Sequence, residues 1–236
     1  MNSSEIQNLQ YFLFSPKNPS DLYLQIHNRT YDLWKMLWEK TLEELRLPTE
    51  NLPNEFGRQN HIAVICHRFE PVAIHLYSHF HLESRASQEC SYMRENYPAL
   101  FFEKLKQRGL KTVMSMEYMT VHPEWRKSRG NLHIGAVLGA LGLKCMEHHQ
   151  LGGCIAPARK DHKVHLLAHA QGGESIIADV FNHNVLCDLI LLQREKIKDH
   201  PDTGIAKIVD RLWSSRIEDY LRSEKQSFEH HKNIAA

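Results

Sequence analysis

The stretch EYMTVHPEWRKSRGNLHIGAVLGALG, residues 117–142, carries residue types that could bind an anion. Three cations, Arg126, Lys127 and Arg129, come directly before a run of small and aliphatic residues that predicts a helix over 132–149. The first turn of a helix directs unpaired N–H groups outward, and cations beside such a turn suit a phosphate. The pattern therefore predicts a phosphate site, although basic loops are often merely solvated.

The segment before these cations predicts a strand that leaves its sheet near Val121. Residues 111–121 are apolar and strand-like, and Pro123 follows two positions later. Proline donates no N–H and restricts the preceding residue to extended geometry, so the ladder should stop there. Three glycines at positions 135, 139 and 142 share one face of the following helix. This face could let the sheet or a bound cofactor approach the backbone closely, or it could serve only to pack the helix on the sheet.

Histidines are frequent, at 17 in 236 residues, which raises the question of a metal site. In the strand-like AIHLYSHFHL, His75, His79 and His81 alternate onto one face and could present imidazoles to one ion. No carboxylate or cysteine joins them at ligand spacing, and a polar face on a half-exposed strand gives the same pattern. We therefore predict no metal site from this sequence.

Composition limits the class of protein. Lysines and arginines number 29 and aspartates and glutamates 28, so no net field draws the chain to nucleic acid or an anionic membrane. The five cysteines are scattered singly, which suits a reducing compartment. No apolar run reaches the ~20 residues that a bilayer requires, and the N-terminus does not resemble a secretion signal. We expect a cytoplasmic protein without a transmembrane segment.

Hydrophobic periodicity predicts an α+β fold with a mixed, mostly antiparallel sheet and helices on both faces. We expect one domain over 1–236, with a core at about 11–194 and a C-terminal helical extension at about 203–228. Segment 84–96 is polar and irregular. The first predicted helix starts at Pro19-Ser20-Asp21, and its apolar period, from Ile26 to Leu45, runs until Pro48. The other predicted helices are about 98–109, 132–149, about 161–170 and 203–228, and the predicted strands are 61–66, 71–82, 111–121, 152–157, 175–181 and 185–193.

Residues 117–142 resemble the strand, turn and helix of the GNAT acyltransferase superfamily, in which a V-x-P-x-x-R phrase leads to the loop that holds the pyrophosphate of coenzyme A. The segments FGRQNHIAV, CSYMRENYP, MEYMTVHPEWRKS, APARKDHKV and FNHNVLCDL, in that order, resemble the long-chain N-acyl amino acid synthase branch, which is akin to acyl-homoserine lactone synthases. The likeness covers roughly residues 56–193. The usual Q/R-x-x-G-x-G/A loop is altered here, since Arg126 is followed by Lys-Ser-Arg-Gly-Asn.

This resemblance implies acyl transfer from a thioester to an amine. In the family picture the pantetheine arm pairs with the strand edge, and a backbone N–H near Met119, Thr120 and Val121 meets the carbonyl oxygen. Glu117 is the candidate base, because it is the only acid in its strand and burial beside Met116 should raise its pKa. It could equally be a structural carboxylate paired with an arginine from a neighbouring strand, or face water.

The resemblance also suggests residues that bind the two substrates. Arg126, Lys127, Arg129, Gly130 and Asn131 would hold the phosphate of the donor. Arg29 and Tyr92 could line the acceptor pocket and Arg159 could contact donor phosphate, although each could serve only packing, solvation or a strand end. The helix at 161–170 lacks the tyrosine that often protonates the thiolate, so His165 or His169 would have to replace it.

We therefore expect an N-acyltransferase that moves a long-chain acyl group to the amine of an amino acid or similar small molecule. No cofactor is expected to bind tightly; acyl carrier protein or coenzyme A would carry the acyl group as co-substrate. The alternatives are an acetyl-coenzyme A-dependent N-acetyltransferase and an idle domain that binds an acyl thioester or a protein partner.

Overall fold

Strands and helices alternate along the chain because the pattern of apolar residues changes repeatedly. In some segments every second residue is apolar, as in a strand, and in others every third or fourth residue is, as in a helix. The computed structural model describes residues 3–126 and 132–219. The strands are β1 (Leu9–Phe14), β2 (His61–His67), β3 (Glu70–His81), β4 (Thr112–Val121), β5 (Gly153–Arg159), β6 (Glu174–Asn182), β7 (Val185–Gln193) and β8 (Ile217–Glu218).

The described helices lie before, between and after these strands. They are α1 (Ser3–Gln7), α2 (Leu24–Glu44), α3 (Leu52–Gly57), α4 (Arg85–Glu89), α5 (Ser91–Asn96), α6 (Ala99–Gln107), α7 (Pro123–Arg126), α8 (Ile134–His148), α9 (Val164–Ala170) and α10 (Thr203–Ser214), with a 3-10 turn at Arg194–Lys196. None of the described helices is both long and apolar enough to cross a membrane.

The described strands form one eight-stranded sheet in the order β6-β7-β5-β4-β3-β2-β1-β8. Within it, the pairs β4-β5 and β1-β8 are parallel and the other neighbours are antiparallel. Apolar residues of α8, α9 and α10 pack on one face, and those of α2, α3, α5 and α6 pack on the other. The predicted fold class is confirmed.

Two tight turns follow from local sequence. His183 and Asn184 both have positive φ, 48° and 62°, and join β6 to β7. Arg68 and Phe69, with φ of 52° and 66°, join β2 to β3 in the same way. Two consecutive residues with positive φ form the hairpin turn whose twist matches that of the flanking strands. The predicted turn at 182–184 is present.

The C-terminal helix is shorter than predicted. Asp202 caps it by accepting hydrogen bonds from the N–H groups of Gly204 and Ile205, at 2.8 and 3.2 Å. The helix ends at Ser214, and Ile217 then pairs with Phe12 of β1 as a short parallel strand. The prediction of a helix to about 228 is therefore wrong at 217–218, and positions 220–228 lie outside the described residues. Segment 84–96, predicted as irregular, contains α4 and α5.

Helix α8 packs closely against the sheet at one of its glycines. A Cβ atom built on Gly142 would lie 2.5 Å from Met116 Cε and 2.9 Å from Tyr77 Oη. At Gly139 the nearest atom is Met119 Cε, at an ordinary contact distance of 3.9 Å. A methyl group at position 142 would therefore force Met116 or Tyr77 to shift, whereas Gly139 has room for one.

We predict opposite behaviour for two matched substitutions in α8. Both Gly139→Ala and Gly142→Ala gain the same helix propensity, about 1 kcal/mol. Only G142A overpacks the interface with β3 and β4, so its free energy of unfolding should lie about 1–3 kcal/mol below that of G139A. Urea unfolding of the two variants measures this difference, and equal stabilities would contradict the packing described for Gly142.

Candidate active site

The two central strands separate and leave an opening in the sheet. Strands β4 and β5 are paired only at Met114 with Cys154 and at Ser115 with Ile155, yet β4 continues to Val121 and β5 to Arg159. Residues 116–121 of β4 therefore have no ladder partner on the β5 side within the described chain. Pro157 lies in the corresponding part of β5, where a residue without an N–H is tolerated because one side of the strand is unpaired.

A bulge in β4 accompanies the separation. Ile74 is opposite Thr120 and Leu76 is opposite Glu117, so two residues of β4 face His75 alone. Tyr118, one of these two, has a positive φ of 53°, which is unusual for an aromatic residue. The bulge places the side chains of both Glu117 and Tyr118 towards the α2 face of the sheet.

A cavity of about 550 Å³ occupies the opening between the strands. It reaches the α2 face through Trp38 and Thr41, and the opposite face through residues of α8 and α9. Its apolar wall includes Leu37, Leu45, Met116, Met119, Val121, Leu143, Val164, Leu167, Ile190 and Leu192. A pocket of this size and character suits a small organic ligand with an extended apolar part.

The N-terminal turn of α8 forms one rim of this cavity. Ile134, Gly135 and Ala136 line it, and His133 caps the helix by accepting a hydrogen bond at Nδ1 from the Ala136 N–H, at 3.3 Å. Arg126 also lines the cavity and donates from Nε to the Val121 carbonyl, at 2.9 Å. This rim combines a helix N-terminus with a cation, which is the arrangement that favours an anion.

His75 is a buried polar residue of the cavity that the sequence analysis did not assign to a site. Its exposed fraction is 2%, and Nδ1 has no hydrogen-bond partner among the described residues. Burial lowers the pKa of His75 to about 3, so the ring is neutral at physiological pH. A neutral imidazole at this position can donate one hydrogen bond to a ligand or accept one from it, depending on its tautomer.

Glu117 lies in a buried group of polar side chains rather than on the cavity wall. Arg58 donates to both carboxylate oxygens, Ser115 donates to one of them, and Gln59 Nε2 donates to the other at 3.1 Å. Arg58 follows α3, so the partner is not an arginine of a neighbouring strand. Burial raises the pKa of the Glu117 carboxyl, while Arg58 and the hydrogen bonds oppose that rise.

A second carboxylate shares the same arginine. Glu55 accepts from Arg58 Nη2 at 2.6 Å and from Nε at 2.9 Å. The Tyr118 hydroxyl, at the edge of the cavity, donates to Glu55 at 3.1 Å. Arg58 also lies 4.5 Å above the ring of Tyr92. Although burial lowers the pKa of an arginine, the two carboxylates raise that of Arg58, which remains charged.

The predicted site residues other than Arg29 divide into three groups. Met119, Thr120, Val121, Arg126 and Arg159 line the cavity, and Arg159 also pairs with Asp161 at 2.6 Å. Glu117 and Tyr92 belong to the buried polar group beside it. Lys127, Arg129, Gly130 and Asn131 lie outside the described residues.

Arg29 is the exception among the described residues. It pairs with Glu70 on the surface and lines a separate cleft of about 590 Å³ that also contains His67 and Trp125. The residues that line the cavity do not include Arg29, nor His165 and His169 of α9. The structure thus offers no contact between these three residues and the opening in the sheet.

Sequence reasoning did not single out Arg58, Gln59 or Glu55. Arg58 and Gln59 fall within FGRQNHIAV, a segment of the family resemblance, and this resemblance is the one sequence feature that points to them. Nothing in the pattern of residues shows that position 58 contacts position 117, because the two lie on different elements.

The buried ion pair gives a stability prediction. Replacing Arg58 by methionine leaves the Glu117 carboxylate buried without its charge partner, which should cost about 3–5 kcal/mol of unfolding free energy. Arg108→Met, which breaks the half-exposed pair with Glu174, is the matched control and should cost about 0–1 kcal/mol.

A double-mutant cycle separates the ion pair from lost packing. In a Glu117→Gln background, Arg58→Met should cost at least 1 kcal/mol less than in the wild-type chain, because no charge is then stranded at position 117. Urea unfolding provides all four free energies. Additive effects would show that Arg58 stabilises the fold by packing alone.

Comparison with known proteins gives matches of structure but none of sequence. No protein-family model matches the chain, and no curated protein matches it. The acyl-homoserine lactone synthase BjaI, solved with SAM and isopentyl-CoA, superposes with a TM-score of 0.56 at 10% identity, over 89% of this chain and 93% of that one. A second structure of BjaI, with MTA, gives a TM-score of 0.55 at 11% identity with the same coverage.

An N-acyl amino acid synthase has a similar structure. FeeM, from uncultured soil microbes, superposes with a TM-score of 0.50 at 8% identity, over 80% of this chain and 93% of that one. At such low identities these likenesses concern the fold. The protein therefore shares the fold of these acyl-homoserine lactone and N-acyl amino acid synthases, as the resemblance noted in the sequence predicted.

Proposed function

We propose that the protein is an N-acyltransferase that moves an acyl group from a thioester to the amine of an amino acid or a similar small molecule. The observation that carries this proposal is the opening between β4 and β5, with a cavity that reaches both faces of the sheet. One reactant can then enter from each face, and the two meet beside the unpaired edge of β4. BjaI, which shares the fold, was solved with isopentyl-CoA and SAM together, which supports a site for two reactants.

The donor arm is proposed to lie along residues 116–121 of β4. A pantetheine arm carries two amide groups, so it can pair with a free strand edge much as an added strand does. The thioester carbonyl would then lie beside backbone N–H groups near Met119 to Val121, which stabilise the oxyanion as it forms. His75, neutral and opposite the bulge, supplies one further polar group to the same part of the cavity.

The phosphate of the donor is proposed to lie at the N-terminal turn of α8. Arg126 lines the cavity there, and we retain Lys127, Arg129, Gly130 and Asn131 as further candidates on the strength of the sequence. Arg159, across the opening on β5, provides another cation near the same cavity. Coenzyme A and acyl carrier protein both present a phosphate here, and the acidic surface of the carrier protein would favour the cluster of cations.

The apolar lining favours an acyl chain longer than acetyl. Leucines, isoleucine, valine and methionines from both faces of the sheet line the cavity, so a chain of several methylene groups could be removed from water there. An acetyl group would leave most of this wall without a partner.

The five cysteines, which are free thiols, support a reducing compartment such as the cytoplasm.

We propose Glu117 as the proton acceptor. The amine nitrogen attacks the thioester carbonyl, the C–N bond forms, the C–S bond breaks, and the ammonium proton passes to the carboxylate while the thiolate departs. Burial raises the pKa of Glu117, which brings the carboxyl closer to the range useful for a base. Because Tyr118 lines the cavity and Glu117 does not, a water or a movement of side chains is needed to connect Glu117 to the amine.

The first test compares donors. Purified protein with a mixture of amino acids should release free thiol faster from long-chain acyl carrier protein or long-chain acyl-coenzyme A than from acetyl-coenzyme A, with kcat/KM at least 10-fold higher. Mass spectrometry of the product identifies the acceptor. Preference for acetyl-coenzyme A would indicate an N-acetyltransferase, and no thiol release with any donor would indicate an idle domain.

The second test concerns the base. Glu117→Gln should lower kcat about 100-fold or more and change the KM for the donor little, because the amide keeps the shape but accepts no proton. Glu55→Gln is the matched control, since it removes the other carboxylate bound to Arg58 and should change kcat only a few-fold. Equal losses in the two variants would mean that both carboxylates only hold Arg58.

A further inference from the structure

Three histidines converge at the end of α8 that is remote from the cavity. They are His61 at the start of β2, His79 in β3 and His149 directly after the last residue of α8. One ring nitrogen of each lies within 4.8 Å of a ring nitrogen of the other two. The ring centroids are 4.6 Å apart for His61 and His149, 4.9 Å for His79 and His149, and 5.1 Å for His61 and His79.

We propose that His61, His79 and His149 bind one divalent transition-metal ion, and that Zn²⁺ is the ion that best fits these ligands. Imidazole nitrogen is a preferred ligand of Zn²⁺, and three histidines leave a fourth position for water. Nitrogens bound tetrahedrally at 2.0–2.1 Å from zinc lie about 3.4 Å apart. Rotation of the rings about their side-chain bonds can close the remaining distance.

The backbone around the three histidines is well fixed. The His79 N–H donates to Asn60 Oδ1 at 2.7 Å, and the Asn60 N–H donates to the Tyr77 carbonyl at 2.8 Å. The His149 N–H donates to the Cys145 carbonyl at 3.1 Å and so completes the last turn of α8. Little main-chain entropy would then be lost when a metal binds.

The three rings lie in surroundings that disfavour their protonation. Burial, with the other histidines nearby, lowers the pKa of His61 to about 3 and that of His79 to about 4. Burial also lowers the pKa of His149. Burial thus favours the neutral form of each ring, and neutral imidazole is the form of histidine that coordinates a metal.

This site is separate from the proposed active site. The N-terminal turn of α8 lines the cavity, and the 15 residues of the helix extend about 22 Å to its other end. A metal there would tie the C-terminal end of α8 to β2 and β3, next to the sheet. We therefore infer a structural role, in which the ion stabilises the packing of α8 on the sheet.

The set differs from the one that the strand pattern suggested. Of the histidines that alternate along β3, only His79 belongs to it. His75 lines the cavity, and the exposed His81 accepts a hydrogen bond from the Glu83 N–H. The two other ligands come from β2 and from the end of α8, so no local spacing in the sequence predicts the group.

The test is Zn²⁺ binding by the full chain, without a polyhistidine tag, after treatment with a chelator. Isothermal titration should show one saturable Zn²⁺ site per chain, and bound Zn²⁺ should raise the melting temperature. His79→Ala should weaken binding at least 100-fold and abolish the rise. His81→Ala, on the same face of the same strand, is the matched control and should bind Zn²⁺ as the wild type does.

A second variant keeps the test decisive if H79A folds poorly. His149→Ala changes a half-buried residue beyond the end of the helix and should also lose the site, with circular dichroism verifying the fold without metal. Cobalt in place of zinc should give the visible absorption of a four-coordinate ion in the wild type and in H81A alone. The absence of a saturable site in the wild type, or wild-type binding by both H79A and H149A, would overturn the proposal.

Discussion

The loss of pairing between β4 and β5 beyond Ser115 is the constraint on which the site depends. Two parallel strands in the middle of a sheet normally remain paired, because each unpaired backbone group that is shielded from water is costly. Here the strands separate, and the cavity fills the space between them. The bulge at Tyr118 and the proline at position 157 both reduce the stabilisation that pairing of β4 with β5 would give at this place.

The buried group around Arg58 supports the free part of β4 from the α2 face. One guanidinium bonds to Glu117 on β4 and to Glu55 of α3, and the Tyr118 hydroxyl bonds to Glu55 in turn. On the same face, the Trp38 Nε1–H donates to Thr120 Oγ1 at 2.8 Å. These polar contacts hold the strand in position where ladder hydrogen bonds to β5 are missing. An arrangement of this kind keeps the edge ordered and still available to a ligand.

Much of the fold could be predicted because local patterns agree with the tertiary structure. Pro123 ends β4 at Val121, Asp202 caps α10, and the residues 182–184 form a tight turn. The C-terminal helix was predicted too long because Ile217 continues the helical period, whereas the pairing of Ile217 with Phe12 depends on a strand 205 positions earlier in the chain. The helices in segment 84–96 were missed because they are short and polar.

The candidate site could be predicted only in part. Residues of β4 and Arg126 were found because they adjoin a recognisable turn. The contact of Arg58 with Glu117 joins residues 59 positions apart, and the position of Arg29 on a different surface follows from the way α2 crosses the sheet. No spacing along the chain reports such contacts. Sequence patterns therefore locate the strand that bears the site more readily than the side chains that complete it.

A cavity lined by residues from both faces of the sheet has a consequence for the order of events in the proposed reaction. Because each reactant is proposed to enter from its own face, neither substrate has to leave before its companion arrives. Both would be held at once and the acyl group would pass directly between them, with no stage at which the protein itself carries it.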